Sequence, residues 1–304
     1  MNRRTFISTA SAVTAAGATA LAKSPSLPSK IIDVHTHFYD TTRSHGVSWP
    51  RDQKDEVLFR PVLPPEFEPL TRPFNVKGTV IVEASTWIED NAWILELAAD
   101  NPFIKGFVGS LDPSVPHFEY YLDRFSANPL YRGIRLRGVT LRDVRDLLGP
   151  LERRKLTVDF LGGNDMLLEL PYIAKKFPEL TMVIDHLPFD PPSDPAQVEA
   201  VQQAFAALAN HPNVIAKVSN VPRRKEDVLI TDAAFYKERL DFIWETFGED
   251  RVMYASNWPV SDHVANYGDQ LMPALNYVNA LGETAVEKYY WRNSKRVYGW
   301  LDRA

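Results

Sequence analysis

The sequence predicts an α/β protein built as a single (β/α)8 TIM barrel. Eight short apolar, β-rich runs recur along the chain, at residues 31–35, 78–84, 104–111, 131–135, 156–160, 181–186, 213–219 and 251–257. Longer amphipathic segments separate most of them, at 88–100, 117–127, 140–148, 165–177, 195–209 and 233–247. Strands alternating with helices build parallel βαβ units, and eight such units close a barrel. A doubly wound open sheet is the alternative. No Gly-x-Gly-x-x-Gly or Walker pattern supports nucleotide binding on such a sheet.

The chain opens with an address. Asn2-Arg3-Arg4-Thr5-Phe6-Ile7 is a twin-arginine pattern, followed by an Ala/Thr-rich run and the cleavage-like triplet Ala20-Leu21-Ala22. Residues 1–22 therefore read as a twin-arginine signal peptide, 23–29 as a linker and 30–304 as the barrel domain. The expectation is a periplasmic or secreted protein exported already folded. The leader is too short and too poor in Leu, Ile and Phe to span a membrane, and no later segment approaches a span.

The first strand carries Ile31-Ile32-Asp33-Val34-His35-Thr36-His37. Alternation along a strand puts Asp33, His35 and His37 on one side. Two imidazoles at a strand end can grip one divalent cation. The connection that follows, 38–75, is long and rich in proline and aromatics, which argues for an ordered lid. It carries His45, Trp49, Arg51 and Arg60.

Most of the remaining strands, the third excepted, carry polar groups at their ends: Glu83, Arg135, Asp159, His186, Lys217 and Asn257. Barrel active sites sit at the C-terminal ends of strands, so these side chains converge on one rim. Arg135, Lys217 and Arg223, with Arg51 from the lid and Trp258 beside Asn257, are the expected substrate contacts. Cations on the functional face of an acidic protein suggest a small anionic substrate held by guanidinium forks. Helical patterns at 269–280 and 283–298 close the chain.

Composition narrows the classes. The 304 residues are 45% hydrophobic, enough for one large core. There is no cysteine, which excludes disulfides, thiolate ligands and thiol nucleophiles. A formal charge of -5 argues against nucleic acid as partner. A homo-oligomer is neither required nor excluded.

At this point the chain resembles the amidohydrolase-related group of the amidohydrolase superfamily, in the branch of 2-pyrone-4,6-dicarboxylate lactonase and sugar lactonases. The resemblance rests on Ile32-Asp33-Val34-His35-Thr36-His37, Val82-Glu83-Ala84, Tyr131-Arg132-Gly133-Ile134-Arg135, Val183-Ile184-Asp185-His186-Leu187, Asn213-Val214-Ile215-Ala216-Lys217-Val218-Ser219, Tyr254-Ala255-Ser256-Asn257-Trp258-Pro259 and Asn293-Ser294-Lys295-Arg296-Val297-Tyr298. It spans about residues 30 to 298.

What the resemblance implies is a hydrolase (EC 3.1.1 class) acting on a lactone of a small carboxylate or sugar acid. His35, His37 and His186 match positions that bind a metal or polarise the substrate carbonyl, with Glu83 a further ligand candidate. Zinc or manganese is the implied ion, though relatives in the pyrone lactonase branch work without one. The family's last strand ends Gly-Ser-Asp-Trp-Pro; here Asn257 replaces the aspartate. An amide cannot take a proton from water, so Asp159, Glu83 and Asp262 become the candidate bases. Restoring the carboxylate at 257 is expected to strengthen metal binding. Two alternatives stand: a carbon–carbon lyase on the same fold, and a degenerate protein that binds without turnover.

Overall fold

A computed structural model describes residues 26–303 except Phe189 and Pro191. The leader expected over 1–22 lies outside the described residues. Eight parallel strands follow one another around the sheet in chain order. They are β1 Ile31–Thr36, β2 Val76–Val82, β3 Ile104–Gly109, β4 Tyr131–Leu136, β5 Thr157–Phe160, β6 Met182–Leu187, β7 Val214–Val218 and β8 Val252–Tyr254. The barrel closes at its catalytic rim: Asn257 donates its backbone N–H to His35 O (2.9 Å), and His37 donates to Trp258 O (2.9 Å).

The major helices are α1 Pro64–Thr71, α2 Asp90–Ala99, α3 Phe118–Ser126, α4 Leu141–Val144, α5 Gly149–Arg153, α6 Asn164–Lys176, α7 Pro195–Ala209, α8 Ala233–Phe247, α9 Tyr267–Leu281, α10 Glu283–Glu287 and α11 Asn293–Tyr298. The helices expected at 195–209 and 233–247 are capped by Asp194 and Asp232, whose carboxylates accept the N–H of Ala196 and Ala234. The expected helix 140–148 is shorter, and a second one starts at Gly149-Pro150. Helix α1 was not expected. Its signal is Leu63-Pro64-Pro65-Glu66, with proline at the first helical turn. Among the described residues no helix is long and apolar enough to cross a membrane.

Burial makes two apolar layers. Residues such as Ile31, Ile81, Ile134, Val158 and Ala216 pack outward against the helices. Ile32, Val34, Val80, Val82, Val108, Val183, Ile215 and Met253 fill the barrel interior together with Tyr298 and Trp300. The C-terminal segment plugs the lower mouth. Arg303 donates there to the carbonyls of Ala98 in the last turn of α2, Asn101 in the following loop and Ile104 at the start of β3.

Candidate active site

Two β-bulges aim the histidines. Between Asp33 and Thr36, β1 advances three residues while β2 advances two, from Thr79 to Ile81. The extra residue reverses the alternation. Val34 packs in the barrel interior, and Asp33 faces outward, accepting from Tyr267 OH on α9 at 3.0 Å. His35 and His37 are then carried inward. This corrects the expectation that Asp33 shares their side. Asp33 instead joins β1 to the eighth strand's end through Ser256 N–H (3.0 Å). Burial raises its pKa to about 6 against those hydrogen bonds.

The same device recurs in β6. From Ile184 to Leu187 it advances three residues against two in β7. His186 takes up the irregularity with φ of 65°. Asp185 and His186 thereby both reach the site. The imidazole of His35 lies 4.9 Å from that of His37 and 4.4 Å from that of His186, centroid to centroid. His35 and His37 are buried; His186 is half-buried and faces the mouth. The structure therefore brings His35, His37, His186 and Asn257 together.

Hydrogen-bond logic fixes the tautomers of the first two. Val82 O can only accept, so His37 Nδ1, 3.0 Å away, carries a proton. Its Nε2 faces the Asn257 side-chain amide at 3.2 Å. Arg135 can only donate, so its Nη1 at 3.4 Å makes His35 Nε2 an acceptor. Lys217 Nζ and Asp185 Oδ1 both lie 3.3 Å from His35 Nδ1; of the two only the carboxylate can accept, so Nδ1–H points to it and the ammonium turns to Asp159 and Asp185. His186 Nδ1 lies 2.7 Å from Ser219 Oγ, and among the described residues no protein group bonds its Nε2. Burial holds all three imidazoles neutral, His35 and His37 well below the ordinary range and His186 down to about 4.

Charges fill the barrel beneath. Glu83 receives Arg135 (2.8 Å) and Arg137 (2.7 Å). Lys217 bridges Asp159 (2.6 Å) and Asp185 (3.1 Å), and Tyr298 OH donates to Asp159 at 2.8 Å. Burial pushes Asp185 up, but Lys217 and His35 outweigh it and hold the carboxyl well below the usual range. Burial raises Asp159 to about 6 against the pull of Lys217.

These partners revise several expected roles. Lys217 is fully buried in the barrel's charged layer and is not a rim contact. Arg135 is buried on Glu83, not extended toward a ligand carboxylate. Trp258 is fully buried against Phe67, ring centres 4.8 Å apart, facing away from the mouth. Arg223 donates to the carbonyls of its own loop at Val221 and Pro222. Arg51 is exposed and donates to Ser48 O. Of the candidate bases, Asp159 and Glu83 are locked in ion pairs. Asp262 is half-buried beyond the eighth strand, and its pKa is raised to about 6 chiefly by burial. Sequence reasoning missed Asp185 and Ser219 as site residues. A buried acid directly before a strand-end histidine was the available signal.

The lid is anchored. Trp49 lies 5.8 Å from the His37 ring, Ser48 Oγ bonds Ser85 Oγ at 2.9 Å, and Arg43 pairs with Asp90 at 2.7 Å. His263 Nε2 meets Asp55 at 3.0 Å on the opposite side.

His35, Asp185 and His186 offer ligand atoms within 4.8 Å of one another, the spacing of a metal cluster. Arg135 faces His35 Nε2 and Lys217 faces Asp185 Oδ1, while Asp185 Oδ2 and His186 Nε2 have no hydrogen-bond partner among the described residues. A divalent ion there would sit against a guanidinium and an ammonium. The set does not suit one.

Comparison with known proteins agrees with the fold. Residues 32–300 match the Amidohydrolase family. An L-fucono-1,5-lactonase of Burkholderia ambifaria is 29% identical over 255 residues, covering 78% of this chain and 83% of the relative. An amidohydrolase structure from Burkholderia multivorans with bound HEPES superposes with a TM-score of 0.77 at 21% identity, covering 89% of this chain and 99% of that one. A second crystal form, with bound zinc, gives 0.76 at 22% identity and the same coverage.

Proposed function

This chain belongs to the amidohydrolase family, and on that footing we propose that it is a lactonase opening a sugar-acid lactone. One observation carries the chemistry: His186 is a neutral imidazole at the mouth of the barrel, its Nδ1 bonded to Ser219 and its Nε2 free of protein partners among the described residues. With Nδ1–H donated to Ser219 Oγ, Nε2 holds a lone pair toward the mouth. That is the base which Asn257 cannot be.

The steps follow. Water adds to the lactone carbonyl carbon while His186 Nε2 takes one of its protons. Negative charge grows on the carbonyl oxygen beside the Arg135 guanidinium, which stabilises it. The ring C–O bond breaks and His186 returns the proton to the departing ring oxygen. One water is consumed and a hydroxy acid is released. Ser219 Oγ accepts from Nδ1–H in both the neutral and the protonated imidazole, so the ring keeps its orientation throughout.

The resemblance to L-fucono-1,5-lactonase supports a sugar-acid lactone. Such a lactone is neutral, because its carboxyl is tied up in the ring. That agrees with a site whose cations Arg135 and Lys217 already have carboxylate partners. The twin-arginine segment supports export of the folded enzyme to the periplasm.

Purified protein should acidify solutions of L-fucono-1,5-lactone, and His186→Ala should abolish this while remaining folded by circular dichroism. A folded wild-type protein that opens neither this lactone, other aldonolactones nor 2-pyrone-4,6-dicarboxylate would sink the reading.

A further inference from the structure

The same tautomers reach beyond the reaction. His37 donates from Nδ1 to Val82 O, so its buried Nε2 needs a donor. In the structure Asn257 Oδ1 faces that nitrogen at 3.2 Å while Asn257 Nδ2 donates to Asn220 Oδ1 at 3.1 Å. Two lone pairs at this separation repel. An amide can resolve the conflict alone: a half-turn of Asn257, matched by Asn220, gives N–H···N to His37 and keeps the bond between the amides. A carboxylate at 257 could not. It would need a proton or a cation between itself and His37.

His35 has been supplied in the same way. Its Nε2 receives Arg135 Nη1 at 3.4 Å, and Arg135 is held in place by Glu83 Oε1 at 2.8 Å and by the Glu83 carbonyl. Arg137 balances the same carboxylate. Behind His35, Lys217 engages Asp185. A cation would thus meet Arg135 at His35 Nε2, the Asn257 amide at His37 Nε2 and Lys217 at Asp185 Oδ1, and only Asp185 Oδ2 is left without a partner among these atoms.

We propose that Arg135 and Asn257 together replace a divalent ion in this barrel, the guanidinium supplying its charge beside His35 and the amide supplying its bond to His37. The His35–His37 pair is then complete without metal, and Asn257 is a matched partner of Arg135. Restoring the aspartate at 257 alone does not rebuild an ion site, because the guanidinium still fills it.

The test is binding of zinc to chelator-stripped protein by equilibrium dialysis with elemental analysis, independent of turnover. Wild type and Asn257→Asp should retain no stoichiometric zinc. The double variant Arg135→Gln/Asn257→Asp should bind one zinc per chain, about 100-fold or more tighter than wild type. Arg137 remains on Glu83 in that variant, so the buried carboxylate keeps a partner. In parallel, imidazole nitrogen shifts of wild type should show His35 and His37 as Nδ1–H tautomers that zinc does not move. Stoichiometric zinc on wild type, zinc-induced shifts of His35 or His37, or a folded double variant that binds no zinc would each overturn the proposal. If the double variant does not fold, the wild-type shifts decide. Failure here leaves the lactonase reading standing, since lactone opening is measured separately.

Discussion

Lys217 donates to Asp159 across 2.6 Å with neither side chain exposed to solvent. The pair sits in the middle of the barrel, where a TIM barrel ordinarily stacks branched aliphatic residues. Three groups hold it there: Asp185 on the other side of the ammonium, Tyr298 OH on Asp159, and the Tyr298 ring 5.4 Å from Lys217 Nζ. The C-terminal helix thus touches the floor of the site through one phenol.

Lys217→Met leaves two buried carboxylates without their cation. Breaking such a pair costs about 3–5 kcal/mol. Urea denaturation should show that loss, or the variant should fail to accumulate. The paired change Lys217→Met/Asp159→Asn should recover part of it, because one orphaned charge is gone. A single variant within about 1 kcal/mol of wild type would show that the ion pair does not hold the barrel together.

The histidines make the fold sensitive to acid. His186 falls from its ordinary 6.5 to about 4 because burial disfavours its charged form. Below about 6.5 the unfolded chain binds this proton and the folded chain does not, so stability declines as pH drops toward 4. Asp33 and Asp159, raised to about 6, act in the opposite sense: their contribution is lost as pH rises. The histidine effect is therefore isolated by difference. Melting temperatures of wild type and His186→Asn, followed from neutral pH into acid, should diverge less at low pH than at neutral. Parallel curves would mean that His186 is not held neutral by the fold.

Catalysis should carry the same signature. His186→Ala should lower kcat by about 10²–10⁴, the range for a positioned base, with folding intact. Ser219→Ala should lower kcat by about tenfold, a loss at the low end for outer groups that orient a functional imidazole, with little change in KM. Wild-type kcat/KM should fall on the acid side as His186 becomes protonated. An unaltered acid limb in Ser219→Ala together with unchanged kcat would remove Ser219 from the mechanism.

Most of the barrel was legible because apolar runs and amphipathic segments have different periods, and eight alternations of the two allow few topologies. The histidines were legible as strand-end residues. What could not be read was direction. Asp33, His35 and His37 alternate on paper, yet a single extra residue in β1 after Asp33 carries the histidines inward and leaves Asp33 facing outward. Nothing in the residue types of Val34 and His35 announces that bulge. The cations misled for a related reason: their number is a sequence property, but their partners Glu83, Asp159 and Asp185 come from other strands. A strand-end arginine looks free until its neighbour across the barrel is known.

Gly133 tests how closely β4 must approach β5 to set Arg135 in place. A Cβ at this position would lie 2.2 Å from Thr157 Oγ1 and 2.4 Å from the Thr157 carbonyl oxygen. The carbonyl belongs to the strand itself and cannot rotate away, so β4 would have to shift. Two residues later the same strand carries Arg135, whose contacts to Glu83 and His35 depend on its present depth. Gly133→Ala should therefore cost about 1–3 kcal/mol of stability, as overpacking of a tight interior does, and reduce kcat as well. Gly106 is the control. Its added Cβ meets the Arg132 side chain at 3.2 Å, and that flexible stem can move aside. Gly106→Ala should be nearly neutral in both measurements. Equal effects at the two glycines would show that β4 tolerates displacement and that the Arg135 position does not depend on this contact.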